Sequence, residues 1–151
     1  MVNPGTLSFF GEHEYKVDTQ GRISMPARYR DAFRGGLILT RGHDRCIAAY
    51  TPNQWETWAN NVASYPMNRQ KNRRYRRMTF AGAYSLQSDR QGRVPLPSML
   101  RSYANIDING DVVVAGMGDF LEIWAKEEWM HESALLEQEA QYIAETAEDS
   151  R

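Results

Sequence analysis

Short alternations of apolar and polar residues, broken by turn residues, mark the first part of the chain. Residues 15–17 and 23–25 each place apolar side chains two positions apart, and this period predicts two short, half-buried strands. Between them, Asp18 and Gly21 suit a tight turn, because a carboxylate accepts N–H groups of its own turn and glycine tolerates a positive φ. The pattern therefore predicts two short strands joined by a tight turn, and we call this strand–turn–strand element a hairpin.

The same hairpin pattern occurs again 71 residues further on. The first copy reads Asp18-Thr-Gln-Gly-Arg22, the second reads Asp89-Arg-Gln-Gly-Arg93, and a proline follows each arginine four residues later. A weaker match resumes at an offset of 74, and three extra residues near 105–110 explain the slip. Two copies of one supersecondary unit packed about a pseudo-twofold axis fit this long period better than a solenoid does.

A short helix and a second pair of strands are predicted to complete each copy. Proline is favoured at the first position of a helix, and apolar residues follow both prolines at spacings of three and four. The second strand pairs are predicted over residues 37–40 with 46–50 and 112–115 with 120–124. The predicted fold class is therefore α+β and rich in β-structure, with the order strand–turn–strand–short helix–strand–turn–strand in each unit.

Helices are predicted after each unit. Thr51, followed by proline, offers a capping hydroxyl, and apolar residues at helical spacing run over 55–63 until Pro66 ends the helix. The basic stretch 68–78 permits a second helix, although its apolar spacing is thin. Apolar positions over 136–147 predict one long acidic helix whose last residues fray. We expect a unit at residues 9–55, a helical basic connector at 56–82, a second unit at 83–129, and an acidic helix and tail at 130–151.

Charge is distributed unevenly along the chain. The formal net charge is −1, but residues 127–151 hold eight acids against one base, so the preceding 126 residues carry 17 bases and 11 acids. An acidic tail on a basic body indicates an anionic partner, pairing between the two parts, or both. For the cluster Arg69–Arg77, a solvated face or pairing with the acidic C-terminal helix, in the same chain or in the next subunit, is favoured over a second phosphate-binding patch.

Composition and missing motifs narrow the function classes. Hydrophobic residues make up 42% and charged residues 25%, and no apolar run approaches the roughly 18 residues of a membrane span, so a soluble protein without a membrane partner is expected. The start shows no secretory pattern, and a lone Cys46 favours the cytoplasm. The three histidines form no zinc pattern, and neither a nucleophile elbow nor a phosphate loop occurs. We therefore expect no enzyme, cofactor, metal or small-molecule substrate.

The paired hairpins resemble those of the MraZ family, bacterial regulators with two tandem SpoVT/AbrB-like units. Three further motifs add to the resemblance, which extends from about Phe9 to Trp129: they are Phe9-x-Gly-Glu-His13, Pro26-Ala-Arg-x-Arg30 and Leu121-Glu-Ile-Trp124. A single Asp-x-x-x-Arg motif is a weak signal, whereas two in register with the surrounding pattern are a strong one.

The resemblance implies a fold and a function. The implied fold is a swapped-hairpin β-barrel in which the two units complete each other, and the implied assembly is a ring-shaped homo-oligomer. Such proteins bind repeated boxes of double-stranded promoter DNA upstream of their own division and cell-wall gene cluster, usually as repressors, which implies a nucleoid-associated cytoplasmic protein. The Asp-x-x-x-Arg motifs that carry DNA reading map onto Asp18, Arg22, Asp89 and Arg93. At Thr19-Gln20 this chain lacks the small residue and lysine that are common in the family.

Arginine suits this role because its planar fork of donors matches phosphate oxygens or the guanine edge. The alternative without a binding role is that both Asp–Arg pairs are exposed cross-turn ion pairs, which contribute little to stability. Further candidates for nucleic-acid contacts are Lys16, Arg90, Arg28, Arg30 and Arg101. For the three arginines that follow the hairpins, ion pairs with acids such as Asp31 or with a neighbouring subunit are an equally good interpretation.

The amino-acid sequence alone leaves three other functions open. The first is an oligomeric protein-interaction or general polyanion-binding module, which the acidic tail favours. RNA binding is weaker, because no strand interleaves aromatic and basic residues. An isolated antitoxin-like AbrB domain is weaker still, because such domains are single units completed by dimerisation, whereas two units are covalently joined here.

Overall fold

The computed structural model describes residues 7–148. Its strands are β1 Glu12–Lys16, β2 Arg22–Ser24, β3 Leu37–Arg41, β4 Ile47–Tyr50, β5 Tyr84–Leu86, β6 Arg93–Pro95, β7 Asp111–Gly116 and β8 Leu121–Ala125. Its α-helices are α1 Pro52–Ala63, α2 Gln70–Ala81, α3 Ser98–Ala104, α4 Lys126–Gln138 and α5 Ala140–Thr146. Short 3₁₀ turns lie at Ala27–Tyr29 and His43–Arg45. None of the helices within this range is long and apolar enough to cross a membrane.

The strands form two antiparallel sheets that interleave the two units. The larger sheet has the order β1-β7-β8-β4-β3-β5, and β2 pairs with β6 in a second sheet. The first strand of each unit therefore pairs with the third strand of the other unit, as β1 does with β7 and β5 with β3. This exchange confirms the predicted fold, in which two repeats complete each other in one chain.

A pseudo-twofold axis relates the units and passes through two strand pairs. Ile23 lies opposite Val94, its counterpart at the offset of 71, and Ala48 lies opposite Glu122, its counterpart at the offset of 74. The slip between the two offsets has two parts. The equivalent pairs Tyr15–Val112 and Leu37–Leu86 show four extra residues before β7 and not the predicted three. The turn between β7 and β8 is one residue shorter than the turn between β3 and β4, which restores the offset of 74.

The hydrophobic core lies between the large sheet and a layer formed by β2, β6, the first 3₁₀ turn and α3. Strand residues alternate between this core and the opposite face. In β4 and β8, for instance, Ile47, Leu121 and Ile123 belong to the core, whereas Ala48 and Glu122 face the other way. On that opposite face, α1 and α2 pack on β3, and α4 packs on β7 and β8.

The helices follow the predictions at α1, α2 and α3 and depart from them after Pro26 and in the acidic segment. The Thr51 hydroxyl accepts from the Gln54 N–H (3.2 Å) at the start of α1, and α2 covers the basic stretch. After Pro26 the chain forms 3₁₀ turns over residues 27–36, whereas the matched segment after Pro97 forms the α-helix α3.

The acidic segment was predicted as one helix, and this was wrong. It forms two helices, α4 and α5, because the backbone of Glu139 (φ −110°, ψ 13°) is not helical. The predicted fraying of the last residues concerns residues 149–151, which lie outside the described part of the chain.

Candidate nucleic-acid interface

In the first hairpin, Asp18 ties together both ends of its own turn. Its Oδ1 accepts from the N–H groups of Gln20 (2.9 Å) and Arg22 (2.9 Å). Its Oδ2 accepts from Nε of Arg22 (2.9 Å). Gly21 has φ +79°, a conformation that favours glycine. One carboxylate thus fixes the turn and the orientation of the arginine.

The second hairpin repeats this geometry around Asp89. Oδ1 accepts from the N–H groups of Gln91 (2.9 Å) and Arg93 (2.9 Å), and Oδ2 accepts from Nε of Arg93 (2.8 Å). Gly92 has φ +76°. In both motifs the guanidinium is therefore bound to the aspartate of its own turn through Nε.

The pairing of β2 with β6 places the two hairpins side by side. Met25 N–H donates to the carbonyl of Gly92 (2.9 Å), and Leu96 N–H donates to the carbonyl of Gly21 (2.8 Å). Nη1 of Arg22 lies 3.8 Å from Oδ2 of Asp89, so the two motifs are in direct electrostatic contact. The arginine side chains are only partly exposed, 25% for Arg22 and 34% for Arg93, so both are partly buried but still accessible to solvent.

Arg30 and Arg101 reach across to the opposite hairpin. Nε of Arg30 donates to the carbonyl of Met25 (3.2 Å), and its side chain covers Gly92, where a Cβ would lie 2.5 Å from Nε. In the same way, Nε of Arg101 donates to the carbonyl of Leu96 (2.9 Å) and covers Gly21. Each unit therefore supplies an arginine to the turn of the other unit. An ion pair with Asp31 was the alternative expected for these arginines. In the structure Asp31 pairs with Arg34 instead.

Hydrogen bonding keeps both aspartates ionised. The pKa of Asp18 is lowered, first by the N–H of Arg22, with smaller contributions from Gln20 and the Arg22 side chain. The pKa of Asp89 is lowered in the same way, first by the N–H of Arg93. At neutral pH both motifs therefore consist of a carboxylate and a guanidinium.

The other three predicted contact residues lie in different surroundings. Arg90 is exposed at the tip of the second hairpin. Lys16 pairs with Asp111 (3.2 Å) at the end of β1, and the guanidinium of Arg28 lies over the ring of Phe10 (4.5 Å to the centroid). The structure thus brings Arg30 and Arg101 to the turns of the paired hairpins, whereas Lys16 pairs with Asp111 and Arg28 packs on Phe10.

Exposed glutamines at the hairpin tips were missed by the sequence analysis. The side chains of Gln20 and Gln91 occupy the same place in the two turns, and both residues are exposed. Gln in such a position can offer an amide that hydrogen-bonds two groups of an adenine edge. Their identity at matched positions of the repeat is the signal that could have found them.

The basic helix α2 is not paired with the acidic helices. Within residues 7–148, no ion pair joins α2 to α4 or α5. Arg73 and Arg76 instead donate to the carbonyls of Met67 (2.9 Å) and Ala63 (3.2 Å). Of the two favoured interpretations of this cluster, the solvated face agrees with the structure of the single chain, and pairing within the chain does not.

A family comparison covers nearly the whole chain. The family model described as "MraZ protein, putative antitoxin-like" matches residues 8–78 and again residues 79–150. The two matches are adjacent, as expected for a tandem duplication.

Relatives from several bacteria are similar to the chain over almost their full length. A protein named "Transcriptional regulator MraZ" from Dehalococcoides mccartyi (strain BAV1) is 41% identical over 142 residues, which cover 93% of this chain and 99% of that protein. Proteins of the same name from Thermomicrobium roseum and Roseiflexus sp. (strain RS-1) are 40% and 35% identical, over 91% and 95% of this chain and 95% and 99% of their own. The chain belongs to the MraZ family.

Proposed function

We propose that this protein is a DNA-binding transcriptional regulator that reads promoter DNA through its paired hairpins. The observation that carries the proposal is the juxtaposition of two arginines, each held through Nε by an aspartate of its own turn. The name of the relatives, transcriptional regulator, agrees with this role. No catalytic role is assigned to any side chain.

This geometry is better suited to base reading than a flexible basic loop would be. With Nε of Arg22 and Arg93 bound, the two Nη groups of each side chain form a fork of fixed orientation that matches the O6 and N7 acceptors of guanine or two phosphate oxygens. Gln20 and Gln91 stand beside the arginines for contacts with adenine, and Arg90 stands at the tip for a phosphate contact.

The finer proposals concern assembly and regulation. One pair of hairpins neutralises only a few phosphates, so its affinity falls steeply with salt. A ring-shaped homo-oligomer that presents the same hairpins to successive DNA boxes raises the avidity through effective concentration. We place this assembly on the promoter of the protein's own division and cell-wall gene cluster, in the cytoplasm at the nucleoid, where it represses transcription by covering promoter DNA.

Fluorescence anisotropy tests this proposal. The protein is titrated into a duplex from upstream of its own gene and into a scrambled duplex, at near-physiological salt. We expect the upstream duplex to bind at least about a thousandfold more tightly, as specific sites generally do. The double variant Arg22→Ala/Arg93→Ala, checked for fold and assembly, should lose at least about tenfold in affinity for the upstream duplex, because each base contact contributes about 1–3 kcal/mol.

A matched control removes two arginines outside the hairpins. Arg74 and Arg77 are exposed on α2, and the variant Arg74→Ala/Arg77→Ala should keep the ratio between the two duplexes. Equal binding of both duplexes by the wild type would leave only a polyanion-binding module. No binding by a folded, assembled sample would favour a protein-interaction module, and either result would refute the proposal.

A further inference from the structure

A cavity of about 520 Å³ lies on the face of the large sheet that points away from the hydrophobic core. It is bounded by β4, by the turn before β8, and by α1 and α2. Its volume is in the range of cavities that hold small ligands, roughly 300–1,000 Å³. Thr57, at its edge on α1, is exposed, so the cavity can be reached from solvent.

Aromatic rings form much of the wall. Tyr50 stacks on Phe120 with ring centroids 4.9 Å apart and on Trp58 at 6.3 Å, and Tyr75 meets Trp58 edge to face. Nε2 of His43 lies 3.0 Å from the Tyr75 hydroxyl, which closes one end of the wall. Tyr50, Trp58, Tyr75 and Phe120 therefore line the cavity as one group of contacting aromatic side chains.

A buried carboxyl lies at the bottom of the same cavity. Glu122 is only 9% exposed. Its counterpart in the first unit is Ala48, which lies opposite it at the pseudo-twofold axis. Its Oε1 accepts from Nε1 of Trp124 (3.0 Å), and burial raises its pKa. None of the ion pairs within residues 7–148 includes Glu122. The Arg41 guanidinium, also in the lining, lies over Tyr103 at 5.8 Å.

We propose that this cavity binds a small organic cation, whose ammonium or quaternary ammonium group lies among the aromatic rings and is neutralised by Glu122. Trp124, Cys46 and His43 offset only part of the effect of burial on the pKa of Glu122, which remains raised. A carboxylate is costly to bury, and a bound cation reduces that cost. Aromatic faces attract a cation within about 6 Å, most strongly when water is excluded. The lining also holds one further acid, Asp119, and one arginine, Arg41, whose guanidinium lies over Tyr103.

The cavity is separate from the hairpins that we propose for DNA reading. Ala48, Tyr50 and Glu122 alternate along their strands with core residues such as Ile47 and Ile123, so the sheet itself stands between the two sites. Binding of a cation is therefore testable in the absence of DNA, and its outcome does not depend on the proposed regulation.

The test compares choline with 3,3-dimethyl-1-butanol, a neutral molecule of nearly the same shape. Each is titrated into the intact protein while the NMR signals of the Trp58 indole N–H and the Ala48 methyl group are followed. We expect choline to shift both signals saturably, with a Kd at least about tenfold lower than that of the alcohol, the ratio that a desolvated cation–π contact provides.

Two variants and one control test which side chains produce the preference for choline. Glu122→Gln keeps the shape of the side chain and should abolish the preference for choline, and Trp58→Leu should weaken choline binding without altering the buried carboxyl. Glu56→Gln removes an exposed acid from the same helix as Trp58 and should change nothing. Absence of saturable shifts, equal affinities for the two probes, or an unchanged preference in folded Glu122→Gln would each overturn the proposal.

Discussion

At the scale of single residues, the first role of the two hairpin aspartates is to stabilise their own turns. Asp18 and Asp89 each accept three hydrogen bonds, two from backbone N–H groups and one from an arginine Nε. A cross-turn ion pair alone would contribute little at this exposure. For the proposed reading of DNA, the motif holds the guanidinium in one orientation before binding, which lowers the ordering cost.

The lowered pKa values of Asp18 and Asp89 predict a specific pH dependence of stability. Because the folded pKa lies below the ordinary value of 3.8, the unfolded state binds more protons in the window beneath it. The stabilisation is complete above pH 3.8 and is lost as the pH falls through the folded pKa. Asp18→Asn/Asp89→Asn should therefore flatten the decline in unfolding free energy below pH 4, measured by urea denaturation. The control Asp31→Asn, at an exposed position, should leave the decline in place; a wild-type decline in the double variant would contradict the assignment.

Gly92 is predicted to be intolerant of any side chain. Its φ of +76° strains an L-residue, and a Cβ would meet Arg30 at 2.5 Å from Nε and displace it from the carbonyl of Met25. Gly92→Ala should lower the unfolding free energy by about 1–3 kcal/mol, the usual cost of such backbone strain. Gly35→Ala is the control, because a Cβ there meets nothing within 4 Å. Equal stability of the two variants in urea would show that the turn can relax.

At the scale of elements, one buried hydrogen bond fastens the end of α2 to the large sheet. Oγ1 of Thr40 in β3 donates to the carbonyl of Thr79 (2.8 Å), and both residues are buried. Thr79 lies in the last turn of α2, where carbonyls lack a partner within the helix. The side chain of a strand thus satisfies a helix terminus, which explains why a helix with thin apolar spacing is held in place.

Thr40→Val tests this link because it keeps the shape of the side chain and removes the hydroxyl. We expect a loss of about 1–3 kcal/mol in unfolding free energy, since a buried carbonyl is left without a donor. Thr40→Ser keeps the donor and should lose less than Thr40→Val does, although it also removes a methyl group. If the serine variant is the less stable of the two in chemical denaturation, packing and not the hydrogen bond connects α2 to the sheet.

At the scale of the whole molecule, neither unit can complete its own sheet. β1 depends on β7, β5 depends on β3, and the second sheet consists of one strand from each unit. The core likewise draws on both units, with Ile23 and Phe33 from the first and Val94 and Leu100 from the second. Unfolding of one unit therefore exposes the core of the other.

This exchange predicts that the two halves fold only together. Fragments 1–82 and 83–151, expressed separately, should show no cooperative unfolding as monomers, whereas their equimolar mixture should recover the circular dichroism and a cooperative melt. The intact chain serves as the reference for both signals. A fragment that melts cooperatively while monomeric would show that one unit is self-sufficient.

The sequence by itself determined the features that depend on neighbouring residues. The turns around Asp18 and Asp89, the capped start of α1 and the duplication were all predictable, because turn chemistry, capping and apolar spacing act over a few positions. Tertiary structure decided the rest. That Arg30 covers Gly92, that Lys16 and Arg28 have other partners, and that Glu122 lies in an aromatic cavity all depend on contacts between residues distant in the chain. Such contacts depend on the tertiary fold, including the pairing of β1 with β7, of β2 with β6 and of β4 with β8, which no local pattern encodes.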